Sequence, residues 1–142
     1  MPVRGLVTLG DIRGLTATAP PNVTVVGSAP HSAVLPNSSA VVCHGGHGTV
    51  MKALAYGLPL VVMPFGRDQM DNGARIEVAG AGIVLSPSSG PGRIADAIRR
   101  VLEEPRFRSG AERMAEIIAR DVRADRAVSE MEALTQRPVS VA

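Results

Sequence analysis

The sequence has no tryptophan, and aromatic residues make up only 2% of it, as Tyr56, Phe65 and Phe107. Stacking platforms for single-stranded nucleic acid are excluded on that count. Cysteine occurs once, as Cys43, which rules out an internal disulfide and any multi-cysteine zinc site. Lysine also occurs once, as Lys52, so the 15 basic residues are nearly all arginine. They are balanced by 13 acidic residues, leaving a net charge of +2. Residues 1–92 carry five basic and four acidic groups, and residues 93–142 carry ten and nine. Neither part is a basic patch, so no nucleic-acid partner is expected. The longest apolar stretch, Leu58 to Phe65, holds two prolines and falls far short of the ~20 residues of a membrane helix. No charged start followed by an apolar run opens the chain, so no signal peptide is expected and a cytoplasmic location is.

What is present is aliphatic. Hydrophobic residues are 45% of 142, enough for one domain with a core of Val, Leu, Ile, Met and Ala. Val3–Leu9 reads as a buried strand, Val23–Val26 as a second and Ala40–Cys43 as a third. Leu58–Met63 and Ile83–Leu85 make five. Gly10–Asn22 is turn-rich, and Ser32–Leu35 suits a single helical turn before Pro36. Helices are predicted over Thr49–Tyr56, stopped by Gly57, and over Asp68–Ala79, stopped by Gly80-Ala81-Gly82. From Arg93 the apolar residues recur at helical spacing, with Pro105 closing the first helix and Met114–Val122 and Val128–Leu134 forming more. Alternating strands and helices imply a Rossmann-like α/β fold, a mostly parallel sheet between two helix layers.

Two strand-to-helix junctions carry chemistry. The first is Cys43-His44-Gly45-Gly46-His47-Gly48-Thr49. Its glycines let backbone approach a ligand closely, and amides at a helix N-terminus favour an anion. The alternative is a tight turn in which Thr49 caps the helix. No lysine precedes Thr49, so this is not a Walker loop, and no Gly-x-Gly-x-x-Gly is present. His44 and His47 have no third ligand nearby, so no metal is expected. Cys43 lies within a strand, where a structural thiol is expected. The second junction is Pro64-Phe65-Gly66-Arg67-Asp68-Gln69. Asp68 accepts hydrogen bonds, and Gln69 both donates and accepts, a pairing suited to a polyhydroxylated ligand. The alternative is Asp68 as a helix N-cap. In a parallel sheet both junctions lie on the same edge, and an anion site beside a hydroxyl site describes a sugar phosphate.

The spaced residues His44-x-Gly46-x-Gly48-Thr49, Ala53-Leu54-Ala55-x-Gly57-x-Pro59, Pro64-x-x-x-Asp68-Gln69-x-x-Asn72-x-x-Arg75 and Gly80-Ala81-Gly82 resemble the donor-binding signature of nucleotide-sugar glycosyltransferases. The likeness is to the family of UDP-glycosyltransferases and bacterial antibiotic and macrolide glycosyltransferases. It is strong over about forty residues and weaker from Val3 to Leu134. Such enzymes have two Rossmann-like domains, the GT-B architecture. The resemblance implies that residues 1–142 are the C-terminal, donor-binding domain. His44, Gly45, Gly46, Gly48 and Thr49 would then face the donor diphosphate. Asp68 and Gln69 would hold the hexose, and Ser28, Ala29 and His31 would lie by the nucleobase and ribose. The donor would be a UDP- or dTDP-hexose, and the hexosyl group would pass to a small-molecule or lipid acceptor without a cofactor.

Two positions depart from the family pattern. Many relatives have tryptophan where this chain has Ser28, and many UDP-sugar users have glutamate where it has Lys52. The family's acceptor-activating base belongs to the N-terminal domain, so no catalytic residue is assigned here. The resemblance also implies that the acceptor half and a first strand-helix unit are missing. The isolated chain is therefore expected to be inactive and to associate, as a homodimer, through an exposed apolar face. The alternatives are a non-catalytic module that holds a nucleotide sugar, and a sugar-nucleotide epimerase.

Overall fold

The computed structural model describes residues 3–10, 18–124 and 126–135. Five short strands are β1 (Gly5–Thr8), β2 (Val23–Val26), β3 (Val41–Cys43), β4 (Leu60–Val62) and β5 (Gly82–Val84). Six helices are α1 (His31–Val34), α2 (His47–Ala55), α3 (Gln69–Val78), α4 (Pro91–Glu103), α5 (Pro105–Ala124) and α6 (Arg126–Thr135). A 3-10 turn, Leu35–Asn37, follows α1. All strand pairs are parallel.

The strands form two sheets. β1 pairs with β2, and β3, β4 and β5 pair in that order. The register of the larger sheet places Val41, Leu60 and Gly82 in one row and Cys43, Val62 and Val84 in another. Successive side chains of β4 therefore enter opposite helix layers. Leu60 and Val62 join Val50, Ala53 and Leu54 of α2 and Ile76 of α3. Val61, on the other face, joins Ala97 and Val101 of α4 and Phe107 of α5. All three β4 residues are fully buried. This is the α/β sandwich that alternating elements imply, with β4 at its centre.

Three expectations need correction. The first strand is not buried: Leu6 and Val7 are 44% and 42% exposed, because among the described residues β1 has β2 as its strand partner and no helix packed broadly over it. A single sheet is also not what forms, since no described strand joins β1 or β2 to β3. Pro105 does not merely end a helix. It is the first residue of α5, where its fixed φ and missing amide suit a helix start. Most of the turn-rich stretch, residues 11–17, lies outside the described residues. No helix among the described residues is long and apolar enough to cross a membrane.

Candidate functional site

The carboxyl ends of β3 and β4 lie side by side, locked by the Met63 amide donating to Cys43 O at 2.9 Å. Each strand continues into a short loop and then a helix, so both loops open on the same sheet edge.

After β3 the chain turns at Gly45, whose φ of +90° favours glycine. The turn is also packed: a Cβ on Gly45 would lie 2.7 Å from Val62 Cγ1 and 3.2 Å from Gln69 O. Exposed His44 lays its imidazole over Gly46, where a side chain would meet Nε2 at 2.5 Å. Gly46 is the N-cap of α2, in extended backbone with no side-chain cap. Thr49 is thus not the cap. Its amide donates to Gly46 O at 3.1 Å from the third helical position, and its half-buried hydroxyl has no partner among the described residues. The amides of Gly46, His47 and Gly48 likewise donate to no described group. Amides left without a described partner at the positive end of a helix dipole are an arrangement that favours an anion. His47 is exposed at the first helical position, and its side chain has no hydrogen bond among the described residues.

After β4 the loop passes through Arg67, a non-glycine residue at φ 58°. It is shaped by Gln69, whose Oε1 accepts from the amides of Phe65 at 2.8 Å and Gly66 at 3.2 Å. The oxygen of Gln69 is therefore engaged, and its NH₂ group is what remains for a ligand. Asp68 takes the N-cap position of α3, but its side chain makes no cap hydrogen bond. Instead Oδ2 accepts from Asn72 Nδ2 at 2.9 Å, and the same nitrogen donates to Gly45 O at 2.9 Å. Asn72 is 7% exposed, the one buried polar side chain among the described residues. Its position four residues after Asp68 was visible in the sequence as a shared helix face, while its bond to Gly45, 27 residues away, was not.

The structure thus brings His44, Gly45, Gly46, Gly48, Thr49, Asp68 and Gln69 together on one edge. Ser28, Ala29 and His31 follow β2 instead, and no hydrogen bond among the described residues joins them to either loop. Cys43, at the base of the first loop, has its thiol pushed above the ordinary range by burial, against a smaller opposing effect of the Gly45 backbone hydrogen bond. Among the described residues no three His, Cys, Asp or Glu side chains converge as a metal site would need.

Comparison with known proteins shows the family to which this fold belongs. Against the 3-alpha-mycarosylerythronolide B desosaminyl transferase of Saccharopolyspora erythraea, the chain is 40% identical over 99 residues, 69% of this chain and 24% of the relative. It superposes on the glycosyltransferase VinC, solved in complex with dTDP, with a TM-score of 0.69 and 35% identity over 72% of this chain and 26% of that one. With the spinosyn forosaminyltransferase SpnP the TM-score is 0.83 and the identity 26%, over 95% of this chain and 35% of that one. The chain therefore spans about a quarter to a third of the length of these proteins. The family model described as the C-terminal domain of erythromycin biosynthesis protein CIII-like proteins matches residues 6–134, and the chain belongs to that family, the C-terminal domain of macrolide and antibiotic glycosyltransferases.

Proposed function

We propose that this chain binds a nucleoside-diphosphate sugar and presents its anomeric carbon for transfer. The observation that carries the reading is the unpartnered amide cradle of Gly46, His47 and Gly48 beside the Asp68–Gln69 loop on one sheet edge. The diphosphate sits against the cradle, His44 and Thr49, and Asp68 and Gln69 take hydroxyls of the hexose. In the transfer an acceptor oxygen bonds to the anomeric carbon as the bond from that carbon to the phosphate oxygen breaks. The acceptor proton goes to a base outside these residues, and the nucleoside diphosphate leaves. Charge developing on it is met by fixed amide dipoles and the Thr49 hydroxyl, with no metal or other cofactor needed.

The complex of VinC with dTDP favours a thymidine donor over a uridine one. Lys52, where a glutamate would serve uridine enzymes in the pattern given above, agrees with that choice. The acceptor, a small molecule or lipid, is held by the other half of the enzyme. Alone, the chain binds donor without transferring it. Exposed Leu6, Val7 and Val42 support its association with a second copy, which light scattering would detect.

Calorimetric titration of dTDP, UDP and GDP tests the reading. The expected result is saturable binding of dTDP, tightened by the attached sugar in dTDP-glucose. Absence of binding by all three at about 1 mM, an affinity near −4 kcal/mol, would overturn it.

A further inference from the structure

The two ligand loops are separate in sequence, yet one side chain touches both. Asn72 Nδ2 donates to Gly45 O on the first loop and to Asp68 Oδ2 on the second, each at 2.9 Å. Both partners are acceptors, so the nitrogen is the atom that must face them. We propose that Asn72 is the positioning residue that fixes the diphosphate cradle and the sugar-binding carboxylate at one separation, an inference that rests on the donor-binding reading above.

Two consequences follow from the geometry. With its carbonyl turned inward to Asn72, the Gly45–Gly46 peptide, which is trans, directs the Gly46 N–H the opposite way, outward to the ligand side. The packing of Gly45 on Val62 and Gln69 O holds that peptide in place. At Asp68, Oδ2 is occupied and the side chain does not cap α3, so Oδ1 is the free acceptor for a ligand hydroxyl. Asn72 thus sets a phosphate donor and a sugar acceptor together. A ligand that carries both a diphosphate and a sugar draws on both, and a free nucleoside diphosphate draws on the first alone.

The test uses the full chain with dTDP and dTDP-glucose as probes, and reads the ratio of their dissociation constants, the gain due to the sugar. Loss of overall stability does not move that ratio among folded molecules, whereas loss of positioning does. Asn72→Ala is expected to cut the gain by about tenfold, to the level of Asp68→Ala. The double variant is expected to fall no further, because Asn72 acts on the sugar through Asp68. Asn72→Asp, equal in size but without donors and facing a second carboxylate, is expected to lose as much. Asn72→Ser, which keeps one donor and adds no buried charge but is too short to span both partners, serves if the other variants do not fold; it too is expected to lose gain. A wild-type chain that binds dTDP, with a sugar gain unchanged by these substitutions or with losses that add to that of Asp68→Ala, overturns this inference and leaves the donor reading standing. A wild-type chain that binds neither probe overturns both.

Discussion

The strands β1 and β4 are made of similar residues and have different fates. Leu60, Val61 and Val62 are fully buried, while Leu6 and Val7 are more than two-fifths exposed. The difference is in what surrounds them. β4 has a parallel partner on each side and helices over both faces. Among the described residues β1 has β2 as its one strand partner and no helix packed broadly over it. Both proposed ligand loops grow from the covered sheet, and a site is held to tolerance by rigid elements behind it. The segment proposed for the nucleobase, Ser28 to His31, grows from the β1–β2 pair. On the proposed assignment, the phosphate and sugar loops would be backed by the more rigid elements and the base segment would not.

Matched substitutions sharpen this contrast. Leu60→Ala empties a fully buried position and should cost about 2–5 kcal/mol, against under about 1 kcal/mol for Leu6→Ala, measured by urea unfolding. Equal costs would mean that the two sheets are equally covered. Next come the turn glycines that end the two regions. Gly45 and Gly10 both have positive φ, at +90° and +66°, but among the described residues Gly45 alone of the two is packed, with nothing described within 4 Å of a Cβ on Gly10. Gly45→Ala adds overlap with Val62 to backbone strain and should cost about 2–4 kcal/mol; Gly10→Ala carries the strain alone, about 1 kcal/mol. The same unfolding measurement compares them.

Smaller effects are expected in dynamics and titration. Amides of β1 and β2 should exchange with solvent by local opening, at least about tenfold faster than those of β4, which wait for larger unfolding. Uniform protection across both sheets would remove the contrast. Cys43, raised above the ordinary thiol range by burial, should react with iodoacetamide more slowly than a free thiol at pH 8.5. The fold favours its protonated form. Stability linked to it is therefore complete below the unfolded thiol pKa and declines as pH rises from there toward the higher folded value. A reaction as fast as that of free cysteine would contradict the burial of the β3 end.

The order of elements was legible because aliphatic runs of three to six residues alternate with helical spacing and glycine stops. Burial was not legible, because the aliphatic residues Leu6-Val7 of β1 and Leu60-Val61-Val62 of β4 are alike in type and differ in their neighbours. The start of α2 was read two residues late for a similar reason. Thr49 is a good capping residue, but the glycine turn already supplies the extended backbone at Gly46, so the helix opens there. Asp68 occupies its capping position while its carboxylate answers to Asn72 instead, a choice decided by the bond from Asn72 to Gly45 across the sheet edge. Local signals placed the loops, and the long-range bond between them shapes the site.

The central claim is that the β3 loop holds a diphosphate and the β4 loop holds a sugar. Calorimetric titration of dTDP and dTDP-glucose into the wild type, Thr49→Val and Asp68→Ala tests it most directly. Loss of one hydrogen bond to a charged group is worth roughly 1.5–3 kcal/mol. Thr49→Val should therefore weaken both ligands by about tenfold or more, and Asp68→Ala should weaken dTDP-glucose while leaving dTDP nearly unchanged. Equal binding by the wild type and Thr49→Val, or equal loss of both ligands in Asp68→Ala, would contradict the account.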